Sequence, residues 1–262
     1  MGIKEFTPGI YENMPMNEYR NIKALNKSSM VYLQRSEFHY SNSQLGQNDG
    51  KISRAIAIGT ALDMRLFEYE CFKQNIKTHP FKTPKKYIID NREIIYLHPE
   101  DLATIETMYS SLMKHPLTSK IFESGKPQIT LLWLDKYTGV PCKARIDWLC
   151  EDINLIVDLK TTKNASDINF RWDAKKYKYN WQAAFYQDGY NQLTGNLFNF
   201  NFVCIENTPP YAPEQIAIYN LLQIDIDAAT LEIDEIKNKY KVYLGNLYHE
   251  GYPQEITNLY LP

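Results

Sequence analysis

Three apolar, β-branched runs follow one another closely: ITLLWLD (129–135), VPCKARIDWLC (140–150) and NLIVDLK (154–160). No other stretch limits the fold so tightly. Tyr137-Thr138-Gly139 and Glu151-Asp152-Ile153 separate them, and such short connections predict neighbouring antiparallel strands in a meander. Side chains two apart on a strand share a face, so Asp158 and Lys160 project together while Leu159 points into the opposite layer. The hairpin between Asp147 and Asp158 brings the two carboxylates side by side, where they repel unless a cation joins them. Mg²⁺ prefers oxygen ligands and keeps several waters, which suits two Asp, a backbone carbonyl and a phosphate oxygen. Lys160 would orient or help deprotonate an attacking water, so the set fits phosphodiester hydrolysis. An isolated D-x-K pattern is more often a surface ion pair beside a turn. The strand–turn–strand setting and the apolar wall of Ile156 and Val157 tip the reading towards chemistry.

Around this centre the chain reads as α/β, a central mixed sheet flanked by helices. Helices are expected near Ser29–Arg35, over 53–72, beyond Pro99, over 181–193, and from Ile224 to Tyr248, with a further strand over 197–207. Gln182 and Tyr186 lie at i and i+4 on one helical face and would look towards the sheet. A Lys- and Tyr-rich connector precedes them. Residues 81–97 predict an irregular loop or short hairpin over the site, carrying Lys82, Lys85, Lys86 and Arg92. The organisation expected is one domain over 1–262, with 1–50 as an N-terminal elaboration and a loosely held tail. The last long helix either packs in the core or mediates subunit contact.

Lys and Arg number 29 against 31 Asp and Glu, a net charge of −2, so a nucleic-acid site has to be a local basic patch. Lys175, Lys176 and Lys178, interleaved with Tyr177 and Tyr179, are candidates for DNA binding, as are Lys82, Lys85 and Lys86, for which a solvated charged face is an equal reading. Four scattered cysteines suggest neither a zinc site nor a disulfide framework. With no apolar leader and no long apolar run, a cytoplasmic protein that does not enter the membrane is expected.

Arg145-Ile-Asp147, Val157-Asp158-Leu159-Lys160 and Gln182 through Tyr186 in YNWQAAFYQDGY (179–190) together resemble the core of the RecE-type exonuclease VIII family. That family belongs to the restriction-endonuclease-like PD-(D/E)XK nucleases. The resemblance extends upstream through residues 9–11, 24–30 and 59–68. It implies 5′-to-3′ degradation of one strand of linear double-stranded DNA with two Mg²⁺ ions, Mn²⁺ substituting, in a homo-oligomeric ring beside a single-strand annealing protein. Carried onto this chain, Asp147 and Asp158 would be metal ligands, Leu159 would lend its carbonyl and Lys160 would be the catalytic lysine. Gln182 and Tyr186 would form the downstream motif, and Arg145 would contact phosphate. Two positions depart from the pattern: Asp63 stands where the family usually has His, and Gln128 where it commonly has an acidic residue. Asp63 keeps a hard metal ligand, whereas Gln128 offers only a neutral oxygen and would hold a second ion more weakly. Two alternatives therefore stay open, a catalytically weakened DNA-end-binding accessory protein and a structure-specific endonuclease on the same core.

Overall fold

The structure is a computed structural model and describes residues 6–44, 50, 52–90, 92–245 and 250–252. The chain starts with β1 (Gly9–Tyr11), α1 (Met16–Asn21), α2 (Lys27–Arg35) and α3 (Glu37–Ser43). Next come α4 (Arg54–Phe67), α5 (Tyr69–Asn75), β2 (Ile76–Thr78), β3 (Lys85–Ile89), β4 (Arg92–Leu97), α6 (Pro99–Lys114) and α7 (Thr118–Glu123). The second half holds β5 (Lys126–Leu134), β6 (Pro141–Cys150), β7 (Leu155–Thr162), α8 (Asp167–Tyr177), α9 (Tyr179–Thr194), β8 (Asn199–Glu206), β9 (Ile216–Asn220) and α10 (Gln223–Gly245).

Six strands form the main sheet in the order β1-β5-β6-β7-β8-β9. The meander β5-β6-β7 is antiparallel as the short connections require, and β7 runs parallel to β8 because α8 and α9 form the crossover between them. The sheet is therefore mixed, with helices on both faces. On one face Leu25, Met30 and Leu33 from the α2 side, Trp181 and Phe185 of α9, and Ile233 and Tyr240 of α10 pack on Ile146, Ile156 and Phe202. On the other, Ile58 and Leu62 of α4, Met108 and Leu112 of α6, and Ile95 of β4 pack on Val157, Val203 and Ile205. Alternation along β7 sends Ile156 to the first layer and Val157 to the second.

Several expectations are refined. The 53–72 helix breaks at Glu68 (φ −138°, ψ 59°) into α4 and α5. Residues 81–97 are a β-hairpin, β3 with β4, and β2 adds in parallel on its other side. The leading segment is not peripheral: β1 pairs with β5 at the sheet edge, and the backbone of Leu25 bonds to Pro141 and Lys143. The connector before residue 179 is the helix α8, and β9 is an additional strand. The last helix ends at Gly245 among the described residues, and the tail expected to be loose lies outside them, apart from residues 250–252. α10 packs in the core, with Lys237 fully buried among Asp135, Asp188 and Asp234. Gly189 is needed on α9, because a Cβ there would meet the ring of buried Trp133 at 2.7 Å.

Candidate active site

β6 and β7 pair over only three positions, Cys150 with Leu155, Leu149 with Ile156 and Trp148 with Val157. Beyond Trp148 the ladder opens, and the next position on each strand is an aspartate, Asp147 and Asp158. The opening has a local partner on β5, where Gln128 takes a positive φ of 52° and interrupts the pairing with β6. Asp147 Oδ2 accepts from the backbone N–H of Leu159 at 3.0 Å, replacing a lost ladder bond. Both carboxylates are thereby fixed in the gap.

On the α9 side, Gln182 holds the D-x-K pair. Its Nε2 donates to Asp158 Oδ1 and its Oε1 accepts from Lys160 Nζ at 3.1 Å. Lys160 Nζ also lies 2.5 Å from Asp158 Oδ2 and 4.7 Å from the centre of the Tyr179 ring. Burial disfavours the lysine charge, but Asp158, Tyr179 and Asp147 outweigh it and raise the Lys160 pKa above its ordinary value. Tyr186, one turn beyond Gln182, is half-buried against the core, and its desolvation pushes the hydroxyl pKa up, so it stays a neutral hydrogen-bonding group.

On the opposite side α4 brings Asp63. A Cβ at Gly59 would stand 3.0 Å from Thr161 Oγ1, so glycine lets this helix approach β7 closely and carries Asp63, one turn on, to the gap. Burial, then the charges of Asp158 and Glu68, push the Asp63 carboxyl up to about 7. Burial, followed by Asp158 and Asp63, likewise raises Asp147 well above the usual carboxylate range. Three carboxylates thus share a poorly solvated space, with Lys160 the cation closest to them.

Arg145 does not reach this space. It is buried, with Nε on Gln128 Oε1 at 2.7 Å, a terminal nitrogen on the Met14 carbonyl and the other on Glu68 at 3.2 Å. Its three nitrogens thus tie Gln128, Met14 and Glu68 together, and the guanidinium braces the floor beside the carboxylates where a phosphate contact was expected. Gln128 in turn donates to Asp63 Oδ2 at 3.1 Å and orients it. Lys178 is also directed elsewhere: it bridges α8 and α9 in a left-handed conformation and pairs with Glu232 of α10 at 3.0 Å.

A groove of about 1180 Å³ opens over Asp63, Asp147, Asp158, Lys160 and Gln182. Lys176 and Tyr177 stand on one wall, and Lys86 and Glu93 of the hairpin on another. Sequence reasoning did not single out Lys27, whose Nζ donates to the Tyr177 carbonyl at 2.7 Å on the same groove. The signal was present in the Asn26 cap, which fixes Lys27 at the first position of α2. Glu68 was also missed, because only the tertiary fold brings it to Arg145.

Among the described residues no three His, Cys, Asp or Glu side chains converge tightly enough to cage an ion unaided. The donor set nonetheless suits a hard divalent cation that completes its shell with water and substrate oxygens. Asp158 Oδ2 is buried and has no directed hydrogen bond, its only close partner being the ionic contact with Lys160. Asp147, Asp158 and the Leu159 carbonyl are the groups that would hold such an ion, with Asp63 on the far side. Among the described residues no helix is long and apolar enough to cross a membrane.

Known proteins bear on this geometry. The chain covers 95% of itself and 94% of an Eubacterium rectale structure named "Putative exonuclease", with a TM-score of 0.67 and 16% identity, a likeness of fold. A phage related exonuclease from Haemophilus somnus 129PT is more distant, at 10% identity, TM-score 0.39, 84% of this chain and 82% of that one. No curated protein matches. Residues 26–254 match the family described as "PDDEXK-like domain of unknown function (DUF3799)", a span that includes the whole splayed-strand centre. With the strand order, the paired aspartates and the D-x-K lysine in place, the chain is a member of this PDDEXK-like family.

Proposed function

We propose that the protein is a metal-dependent deoxyribonuclease that removes nucleotides from an end of linear double-stranded DNA. The observation that carries this reading is the joining of Asp147, Asp158, Lys160 and Gln182 where β6 and β7 part, on the floor of an open groove. A bound Mg²⁺ or Mn²⁺ would supply polarisation of the phosphate and acidification of water. The chain's own groups do the rest. Lys160, held charged by its neighbours, donates to the attacking water or to the developing phosphate charge and does not act as a base. Gln182 fixes the angle between Lys160 and Asp158, and Tyr186 follows it one turn along α9. Lys86 and Lys176 on the groove walls supply phosphate contacts. The 5′-to-3′ direction, a homo-oligomeric ring and a single-strand annealing partner in recombination belong to the same proposal and rest on the family resemblance.

A weakened, end-binding accessory role is the second reading, favoured by the Gln128 amide that engages Asp63 and competes with a cation for it. End-labelled linear duplex DNA, incubated with and without Mg²⁺ and with wild type, Lys160→Ala and Asp63→Ala, separates the two. Metal-dependent loss of nucleotides that Lys160→Ala abolishes supports the nuclease. Binding without turnover under Mg²⁺ and Mn²⁺ overturns it in favour of the accessory role.

A further inference from the structure

The outward face of α8 sets an exposed indole beside two lysines. Phe170 and Ala174 bury the helix against the sheet, and Asp173 bonds Thr162 on β7. The opposite face carries Ile168, Trp172, Lys175 and Lys176, which helical spacing places within one stripe. Trp172 is 67% exposed and Ile168 64% exposed. The other three tryptophans behave differently: Trp133 and Trp181 are buried in the core, and the Trp148 indole donates to the Ile121 carbonyl. An indole that large left in water, with no ring partner and no hydrogen bond among the described residues to hold it, is a poor choice for a surface with no ligand.

The stripe is continuous with the groove. Lys176 and the adjoining Tyr177 form its wall, and Trp172 sits one helical turn outward, about 6 Å along the axis. Arg171 is tied to Asp167 at 3.1 Å, so the charge left on the stripe is that of Lys175 and Lys176. A flat aromatic surface beside two cations, leading out of a groove floored by a hydrolytic centre, matches the chemistry of a single nucleic-acid strand, with a base on the indole and phosphates on the ammonium groups.

We propose that the outward face of α8 binds single-stranded DNA, with Trp172 as the stacking platform and Lys175 and Lys176 as the phosphate contacts, and that it guides the strand passing to or from the groove. The proposal rests on the nuclease reading above, yet strand binding is measured without cleavage, so the two can fail separately.

Trp172 is itself the probe, because it is the exposed tryptophan. The full chain in EDTA is titrated with an oligothymidylate, following tryptophan emission and, in parallel, the anisotropy of a labelled copy of the same strand. Wild type should show saturable quenching. Trp172→Ala should lose the quenching and bind the strand on the order of tenfold more weakly, while Trp172→Phe should keep affinity within a few-fold of wild type. A blunt duplex of equal length should lose much less on Trp172→Ala. Unchanged strand affinity in Trp172→Ala overturns the proposal, as does an equal loss on duplex. A changed assembly size in Trp172→Ala by light scattering, with strand affinity intact, assigns the stripe to contact between copies instead. If the protein cleaves DNA but Trp172→Ala binds strand normally, this inference falls and the nuclease reading stands.

Discussion

Gln182 carries no charge, yet it determines how the two charges beside it are used. It gives a hydrogen to Asp158 and takes one from Lys160, so the lysine ammonium cannot swing away when substrate enters. For Gln182→Ala we expect kcat to fall on the order of a hundredfold with KM and thermal stability nearly unchanged, since misplacement of a reacting group costs about that much. Steady-state kinetics with a melting curve checks this, and a change confined to KM would remove Gln182 from the positioning role. Asp63 makes the opposite bargain. Its carboxyl is pushed up to about 7 by burial and by Asp158 and Glu68, so it weakens the fold in order to be present. Asp63→Asn keeps its shape and removes one of three crowded charges, and we expect stability to rise by roughly 2 kcal/mol in metal-free buffer while turnover falls. Denaturant unfolding read beside activity tests it, and a destabilised variant would contradict it. At this scale Asp158 and Lys160 were legible in the sequence because the period of a strand fixes which side chains share a face. Arg145 shares that period with Asp147 but lies deeper, beneath the α4–α5 break, and periodicity carries no information about depth.

The elements are tied together most firmly away from the groove. Lys237 of α10 is buried and contacts Asp135 at 2.6 Å, in the β5–β6 turn, and Asp188 of α9 at 3.2 Å. Burial alone would raise the Asp135 pKa, but hydrogen bonds from Lys237 and Thr138 more than offset it and bring the group to about 2. A carboxyl whose folded pKa lies below its unfolded value stabilises the protein above the unfolded pKa. That contribution, about 2 kcal/mol, is lost as pH falls from roughly 4 through 2. We therefore expect an acid unfolding limb in that window, and Lys237→Met should cost about 3 kcal/mol at neutral pH and flatten the limb. Unfolding free energies from pH 2 to 7 decide it, and a limb of unchanged steepness would exclude the cluster. No sequence pattern pointed to this knot, because Asp135 and Asp188 lie 102 and 49 positions from Lys237 and only Asp234 is a neighbour in the chain. α8 escaped notice for a related reason: with only Phe170 and Ala174 buried, its apolar stripe is too thin to stand out from the Lys and Tyr around it.

At the scale of the whole molecule the meander was readable because short turns leave no other pairing, and the parallel step from β7 to β8 was not, because it depends on recognising α8 as part of the crossover. The place of β1 at the sheet edge was equally hidden, a three-residue strand having too little pattern to separate from loop. The molecule as a whole carries −2, so in the proposed function attraction to DNA would come from the groove walls and not from net charge. Lys176→Glu should then lower the slope of log affinity against log salt by about 1 or more, whereas the same change at the distant, exposed Lys114 should leave it alone. Equal slopes for the two variants would take Lys176 out of the footprint. The short seam between β6 and β7 divides the sheet into two leaves, β1-β5-β6 and β7-β8-β9, and the β5-β6, β7-β8 and β8-β9 ladders within them all run longer than the seam itself. Asp147 rides on one leaf and Asp158 on the other, at the open end of the seam. The sheet is thus a jaw with its reactive groups at the lip, where the bond from Leu159 to Asp147 is the clasp that sets the spacing of the two carboxylates.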